Sequence, residues 1–208
     1  MRPVSDVVPH AGHLTRPERW AALGTRGATV WFTGLSGAGK STLAAAVEQR
    51  LVEGGRGAYR LDGDNLRTGL NADLGFSAEA RLENIRRAAE VALLFADAGV
   101  VALVALISPY AEARLRAREL HQRAAVPFVE VYLATSIEEC ARRDPKGLYA
   151  RASAGNLVAF TGVDDPYEPP TAPDLVVPGN SSLQTSVDRV LETLDRVTFG
   201  IDPMRHTS

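Results

Sequence analysis

At 208 residues the chain is sized for one domain, or one domain with an arm. Its content of 45% hydrophobic, 23% charged and 6% aromatic residues is that of a folded globular domain, which excludes collagen-like and wholly disordered classes. A formal net charge of -2 offers no polybasic surface for a nucleic-acid polymer.

Residues 1 to about 15 carry Pro3, Pro9, His10, Gly12 and His13 without apolar periodicity and read as an extended arm. Thr15 then starts a short helix, with Pro17 in its first turn and Glu18 at the third position after the cap. The arm and this helix occupy 1–26. A main domain is predicted over 27–200, and 201–208 form a tail. The sequence lacks the apolar core of a secretory signal near its start. The apolar stretch 91–107 is broken by Asp97 and Gly99 and falls short of about 20 residues, so it predicts no membrane span. The single cysteine, Cys140, has no disulfide partner and no zinc-spaced neighbours, which predicts a reducing, cytoplasmic setting and a half-buried helix position.

Strands are predicted at GATVWFTG (27–34), AYRLDGD (58–64), VVALVALIS (100–108), FVEVYLA (128–134) and DLVVPG (174–179). Helices fall between them: KSTLAAAVEQRLVEGG, stopped by Gly54 and Gly55; 77–99, begun by Ser77 and ended by Gly99; about 111–125; and 136–143. A final helix is expected over 182–196. Alternation of this kind implies an α/β fold, a mainly parallel five-stranded sheet with helices on both faces. The long Pro/Gly-punctuated segment at about 142–170 reads as a lid or binding loop.

Gly34-Leu35-Ser36-Gly37-Ala38-Gly39-Lys40-Ser41, followed by Thr42, matches G-x-x-x-x-G-K-[ST] between a strand and a helix. Glycines there let successive backbone N–H groups converge on phosphates. The lysine reaches the β/γ oxygens, and the Ser41 hydroxyl suits Mg²⁺. ATP and Mg²⁺ are therefore the expected cofactors. Only Lys40 and Lys146 among the 23 basic residues are lysine. In a chain that otherwise uses arginine, each marks a site that needs a compact point charge.

The strand VVALVALI ends in Ser108 rather than in an acid, so the carboxylate partner of the P-loop is sought in Asp62-Gly63-Asp64. If the chain there is still extended, both carboxylates face one cleft. One would hold Mg²⁺ and the other would accept the proton of an attacking hydroxyl. The sequence assigns Asp64 to the base or metal role, with Ser41, and sets Asp62 beside it. The competing reading of the same residues is an Asp-Gly turn with a helix cap. Arg67, Phe76, Arg81 and Asn84 supply anion forks and a stacking ring. Singly, such residues are more often solvated or core.

FTGLSGAGKST, LDGDNLRTGLNADLGFS, RLENIRR, ISPY, RDPKGLY and FTGVDDPYEPP, in this order and spacing, resemble the adenylylsulfate kinase family over about residues 15–196. That resemblance implies a three-layer P-loop NTPase fold and an enzyme that phosphorylates the 3′-hydroxyl of adenylylsulfate. It implies adenine stacked between Phe76 and Phe160, with Arg67, Arg81 and Asn84 on the phosphosulfate and ribose. The backbone at Ile107 and Ser108 would lie nearby, and Lys146 and Leu148 would touch substrate from the lid. It further implies a homodimer and, for the arm, a sulfate adenylyltransferase partner. A covalent phosphoserine role attaches to Ser108 in this family, but in-line attack needs only positioning and charge stabilisation. Where relatives are lysine-rich, this chain has Ala150, Arg151, Ala152 and Ser153, then Ala154 to Ala159. The less basic lid leaves open a kinase of another small alcohol or nucleotide, or a nucleotide-binding scaffold docked on a sulfurylase.

Overall fold

The computed structural model describes residues 8, 10, 12–154, 160–163 and 165–200. The tail 201–208, most of the arm and part of the expected lid, including 155–159, lie outside the described residues.

Apolar, β-branched runs form the centre of the sheet because both of their faces are covered. Every residue of β1 (Ala28–Thr33) is buried, as is every residue of β3 (Val101–Ala105). With β2 (Ala58–Asp62), β4 (Phe128–Ala134) and β5 (Leu175–Pro178) they make one sheet, order β2-β3-β1-β4-β5, all pairs parallel. Val30 stands opposite Leu103 on one side and Val129 on the other.

The helices are α1 (Arg16–Leu23), α2 (Lys40–Glu53), α3 (Gly63–Leu66), α4 (Ala78–Asp97), α5 (Ala111–Arg123), α6 (Ile137–Arg143), α7 (Leu148–Ser153) and α8 (Leu183–Phe199). Small side chains of α4, Ala88, Ala89 and Ala92, let that helix lie close on one face of the sheet around Trp31 and Val104. Val47 of α2 and Val190 and Leu194 of α8 cover the other face. Thr15, Ser77, Ser136 and Ser182 cap their helices through side-chain oxygens, as their positions predict. Thr15 and Glu18 close a full capping box. Arg19 and Trp20 of α1 then bond Asp97 at the end of α4, at 2.6 and 3.0 Å.

Four local expectations change. The third strand stops at Ala105, and 106–110 form a loop across the strand ends. Cys140 is fully buried, not half-buried. The last helix runs on to Phe199. The chain also leaves extended geometry immediately after Asp62, because the Asp62 carboxylate accepts from the Asp64 backbone N–H at 3.1 Å and caps α3. Asp62 and Asp64 are thus not i, i+2 partners on one strand face. The short helix α7 was likewise not foreseen. It is set by Asp144, whose carboxylate accepts from the Tyr149 and Ala150 N–H groups.

Candidate active site

In a parallel sheet every loop that follows a strand opens at the same end, and here those loops surround one cavity of about 960 Å³. Its floor is the turn between β1 and α2. Gly39 sits at φ 99° as the first cap of α2, a left-handed conformation open to glycine at little cost. The helix N-terminus therefore faces the cavity with its N–H groups unspent.

Lys40, the first residue of α2, is only 8% exposed. Its ammonium donates to the Gly34 and Leu35 carbonyls at 2.9 and 2.7 Å. Burial pulls its pKa down to about 8. The next residue, Ser41, donates its hydroxyl to Asp62 Oδ2 at 2.6 Å. The carboxylate that meets Ser41 is therefore Asp62, where the sequence reading had paired Ser41 with Asp64. Among the described residues there is no group of three or more His, Cys, Asp or Glu side chains able to cage a metal. A hydroxyl beside one buried carboxylate fits Mg²⁺, which takes one or two protein oxygens and fills its shell from phosphates and water. Asp64 stands farther out and forms an ion pair with Lys146 across the cavity mouth. Both partners are more than half exposed.

The second half of the cavity comes from segments far apart in sequence. Arg67 lies over the Phe76 ring, 4.4 Å from its centroid, and donates to the Leu74 and Gly75 carbonyls. Phe76 is 66% exposed, an aromatic face turned outward at the cavity wall. Arg81 donates to the Phe76 carbonyl at 3.0 Å and to Thr161, and pairs with Asp165 at 3.2 Å. Asn84 is buried and accepts from Asn71 Nδ2 at 2.9 Å. Phe160 is buried edge-on against Tyr149, ring centroids 4.9 Å apart. Ser108 adopts φ 41° and is 2% exposed; its hydroxyl accepts from Trp31 Nε1 at 3.1 Å.

Ser36 to Thr42, Asp62, Asp64, Arg67, Phe76, Arg81, Asn84, Ile107, Ser108, Lys146, Leu148 and Phe160 all line this one cavity. Gly34 and Leu35, predicted with them, do not: Gly34 shapes the turn from behind, and Leu35 faces a separate shallow groove. The sequence reading missed Arg143, Thr161, Gly179 and Ser181, which also line the cavity. Their signal was topological, since Gly179 and Ser181 follow the last parallel strand and must open at the same end as the P-loop.

A five-stranded parallel sheet of this order, with a phosphate-binding turn after its central strand and a second pocket beside it, defines a P-loop kinase of the small-molecule type. Within that class the chain belongs to the adenylylsulphate kinase family, whose sequence model matches residues 26–178. An adenylyl-sulfate kinase of Geotalea uraniireducens is 54% identical over 172 residues, 83% of this chain and 82% of the relative. The bifunctional enzyme CysN/CysC of Mycobacterium tuberculosis is 50% identical over 193 residues, 93% of this chain; the chain spans only 31% of that protein. Among solved structures, the Mycobacterium tuberculosis APS kinase CysC in complex with AMPPNP and APS superposes with a TM-score of 0.80 at 53% identity. That match covers 82% of this chain and 99% of the other. Among the described residues no helix is long and apolar enough to cross a membrane.

Proposed function

We propose that the protein transfers the γ-phosphoryl group of ATP to the 3′-hydroxyl of adenylylsulfate, giving 3′-phosphoadenylylsulfate and ADP. The observation that carries this reading is the two-part cavity. At about 960 Å³ it is at the upper end of the range for a single small-molecule site, roughly 300–1,000 Å³, and its halves differ in chemistry. One half offers backbone N–H groups, Lys40 and a helix N-terminus, suited to a triphosphate. The other offers Phe76 and Phe160 with Arg67 and Arg81, suited to an aromatic base carrying a compact anion. The relative named APS kinase was solved with AMPPNP and APS together, which supports the same division of the cavity.

Phosphoryl transfer asks the protein mainly for alignment and charge stabilisation. Lys40 is already held in the turn by two carbonyls and needs only a short swing to reach the β/γ oxygens. Ser41 and Asp62 would hold Mg²⁺, which when bound neutralises charge developing between the β- and γ-phosphates. Asp62 has one oxygen on Ser41 and one on the α3 cap. Asp64 is the carboxylate left for the 3′-hydroxyl proton, and Lys146, paired with it at the cavity, is the charge available to the nucleotide phosphates. Ser108 keeps its hydroxyl on Trp31 and takes no covalent step. A homodimer, a cytoplasmic setting and a sulfurylase partner for the N-terminal arm complete the reading. The 31% span of a CysN/CysC protein supports the last of these.

The test is to incubate purified protein with Mg²⁺-ATP and adenylylsulfate and separate the nucleotides by anion exchange. A new 3′-phosphorylated product that Lys40→Ala abolishes is the expected result. In the same assay Asp62→Asn should raise the Mg²⁺ concentration needed for half-maximal rate, whereas Asp64→Asn should lower kcat at saturating Mg²⁺. ADP release with another acceptor, and none with adenylylsulfate, would overturn the assignment.

A further inference from the structure

Behind the acceptor half of the cavity lies a buried arginine that the sequence reading did not single out. Arg114 of α5 is 3% exposed. Its three nitrogens reach three different pieces of the chain. Nε donates to Glu130 Oε1 on β4 at 2.9 Å, Nη1 to the Ser108 carbonyl at 2.7 Å, and Nη2 to the Glu168 carbonyl at 2.6 Å. Glu130 neutralises the guanidinium and is itself shared with Arg118, which also pairs with Asp174. The two remaining bonds go to neutral backbone carbonyls, those of Ser108 and Glu168, that lie far apart in the sequence.

The first carbonyl belongs to the 106–110 loop, whose residues Leu106 to Pro109 line the cavity; the second belongs to the strap that follows the cavity-lining Phe160 and Thr161 and holds Arg81 through Asp165. Ser108 carries φ 41°, a left-handed conformation that a non-glycine residue holds only when its surroundings over-determine it. The bond from Arg114 is one restraint and the Trp31 indole is another. Glu168 closes the strap that runs back from Phe160 and Thr161 through Asp165. Its backbone N–H donates to the Pro109 carbonyl at 2.9 Å, and its carboxylate accepts from the Ala111 N–H at 2.6 Å. The strap thus meets the 106–110 loop at two points, directly at Pro109 and through Arg114 at Ser108, and meets the first residue of α5 at a third; all three run through Glu168.

We propose that Arg114 is a positioning residue for the acceptor: it locks the 106–110 loop to the 165–168 strap and so sets acceptor affinity and alignment, leaving donor-nucleotide binding unaltered. Only a planar fork can serve both carbonyls and Glu130 at once; a lysine supplies one charge point at a shorter reach. Arg114 touches no P-loop residue among its hydrogen bonds and ion pairs, which is why the effect divides between the two substrates. The inference rests on the reading of the acceptor as adenylylsulfate.

The test compares Arg114→Lys, Glu168→Ala and the wild type, each in a Trp20→Phe background so that Trp31 is the sole tryptophan. Arg114→Lys should lower kcat/KM for adenylylsulfate by roughly ten- to a hundredfold, the scale expected of an ångström-level misplacement, with AMPPNP Kd within about threefold of wild type. Trp31 emission in ligand-free protein should shift to the red as the loop loosens. Glu168→Ala removes a surface anchor and should give the same pattern at roughly threefold, which keeps the idea testable where Arg114→Lys does not fold. A lower melting temperature with both substrates' constants unchanged would make Arg114 merely structural, and equal losses for donor and acceptor would also overturn the proposal. A wild type inactive on adenylylsulfate, together with a shifted Trp31 signal in Arg114→Lys, would instead overturn the acceptor assignment and retain the clamp.

Discussion

The donor and acceptor halves of the cavity are built in opposite ways. The donor half is built mainly from one contiguous stretch, Ser36 to Thr42, and its working groups are largely backbone N–H groups whose direction is fixed once β1 and α2 are in place. The acceptor half draws on 64–84, 105–109 and 160–161, with Asp165 behind them, and its working groups are side chains held by other side chains: Arg67 on Phe76, Arg81 on Thr161 and Asp165, Asn84 on Asn71. A site made of backbone tolerates change around it and little within it. A site made of side chains is vulnerable at residues that never touch the ligand.

The comparison breaks most visibly at Lys40. Lys40→Ala should cut turnover by on the order of 10³-fold. Its melting temperature should hold or rise, because the substitution removes a buried ammonium. Loss of folding in this variant, seen by thermal denaturation, would mean the donor half is not self-supporting. On the acceptor side, Arg81→Ala should raise KM for adenylylsulfate by roughly thirtyfold, about 2 kcal/mol for a lost charge-assisted contact, with AMPPNP binding unchanged by calorimetry. Equal effects on both ligands would dissolve the distinction between the halves.

A smaller effect sharpens the donor side. Burial holds Lys40 at about 8, and bound phosphates favour its charged form. AMPPNP binding near pH 8 and above should therefore take up protons at Lys40 and weaken as pH rises, whereas near pH 6.5 Lys40 is already charged and adds no uptake of its own. Titrations in two buffers of different ionisation enthalpy measure this uptake directly.

The smallest effect concerns a residue away from both halves. His121 is fully buried; its Nδ1–H donates to the Ala117 carbonyl and its Nε2 accepts from the Thr29 hydroxyl, both at 2.8 Å. Burial lowers its pKa from the ordinary 6.5, so the unfolded chain protonates first. Its contribution to stability is present above pH 6.5 and lost as pH falls below that value toward the folded pKa. The melting temperature should drop in that window, and His121→Gln should flatten the drop.

Much of the fold was legible because it depends on short-range rules. Buried parallel strands need unbroken apolar runs, and Thr15, Ser77 and Ser136 start helices by accepting from backbone N–H groups three positions on. The P-loop was legible for the same reason, as its geometry is a property of eight consecutive residues. What was read less well turns on a competition that spacing cannot show. The chain after Asp62 could stay extended or turn into a helix, and the bond from the Asp64 N–H to Asp62, the last residue of β2, decides for the helix. Ser108 could end a strand as any serine might, or sit strained against Trp31 and Arg114.

The sequence by itself therefore determined the alternation of strands and helices, the phosphate-binding turn, the family and a list of residues for a second substrate. Tertiary structure alone decided which carboxylate meets Ser41, which charge faces Lys146, and which buried arginine ties the acceptor walls together. The physical reason is range. Backbone geometry and capping act over a few residues, whereas a carboxylate or guanidinium takes its partner from whatever the fold brings within about 3 Å, here across 139 positions between Arg56 and Asp195.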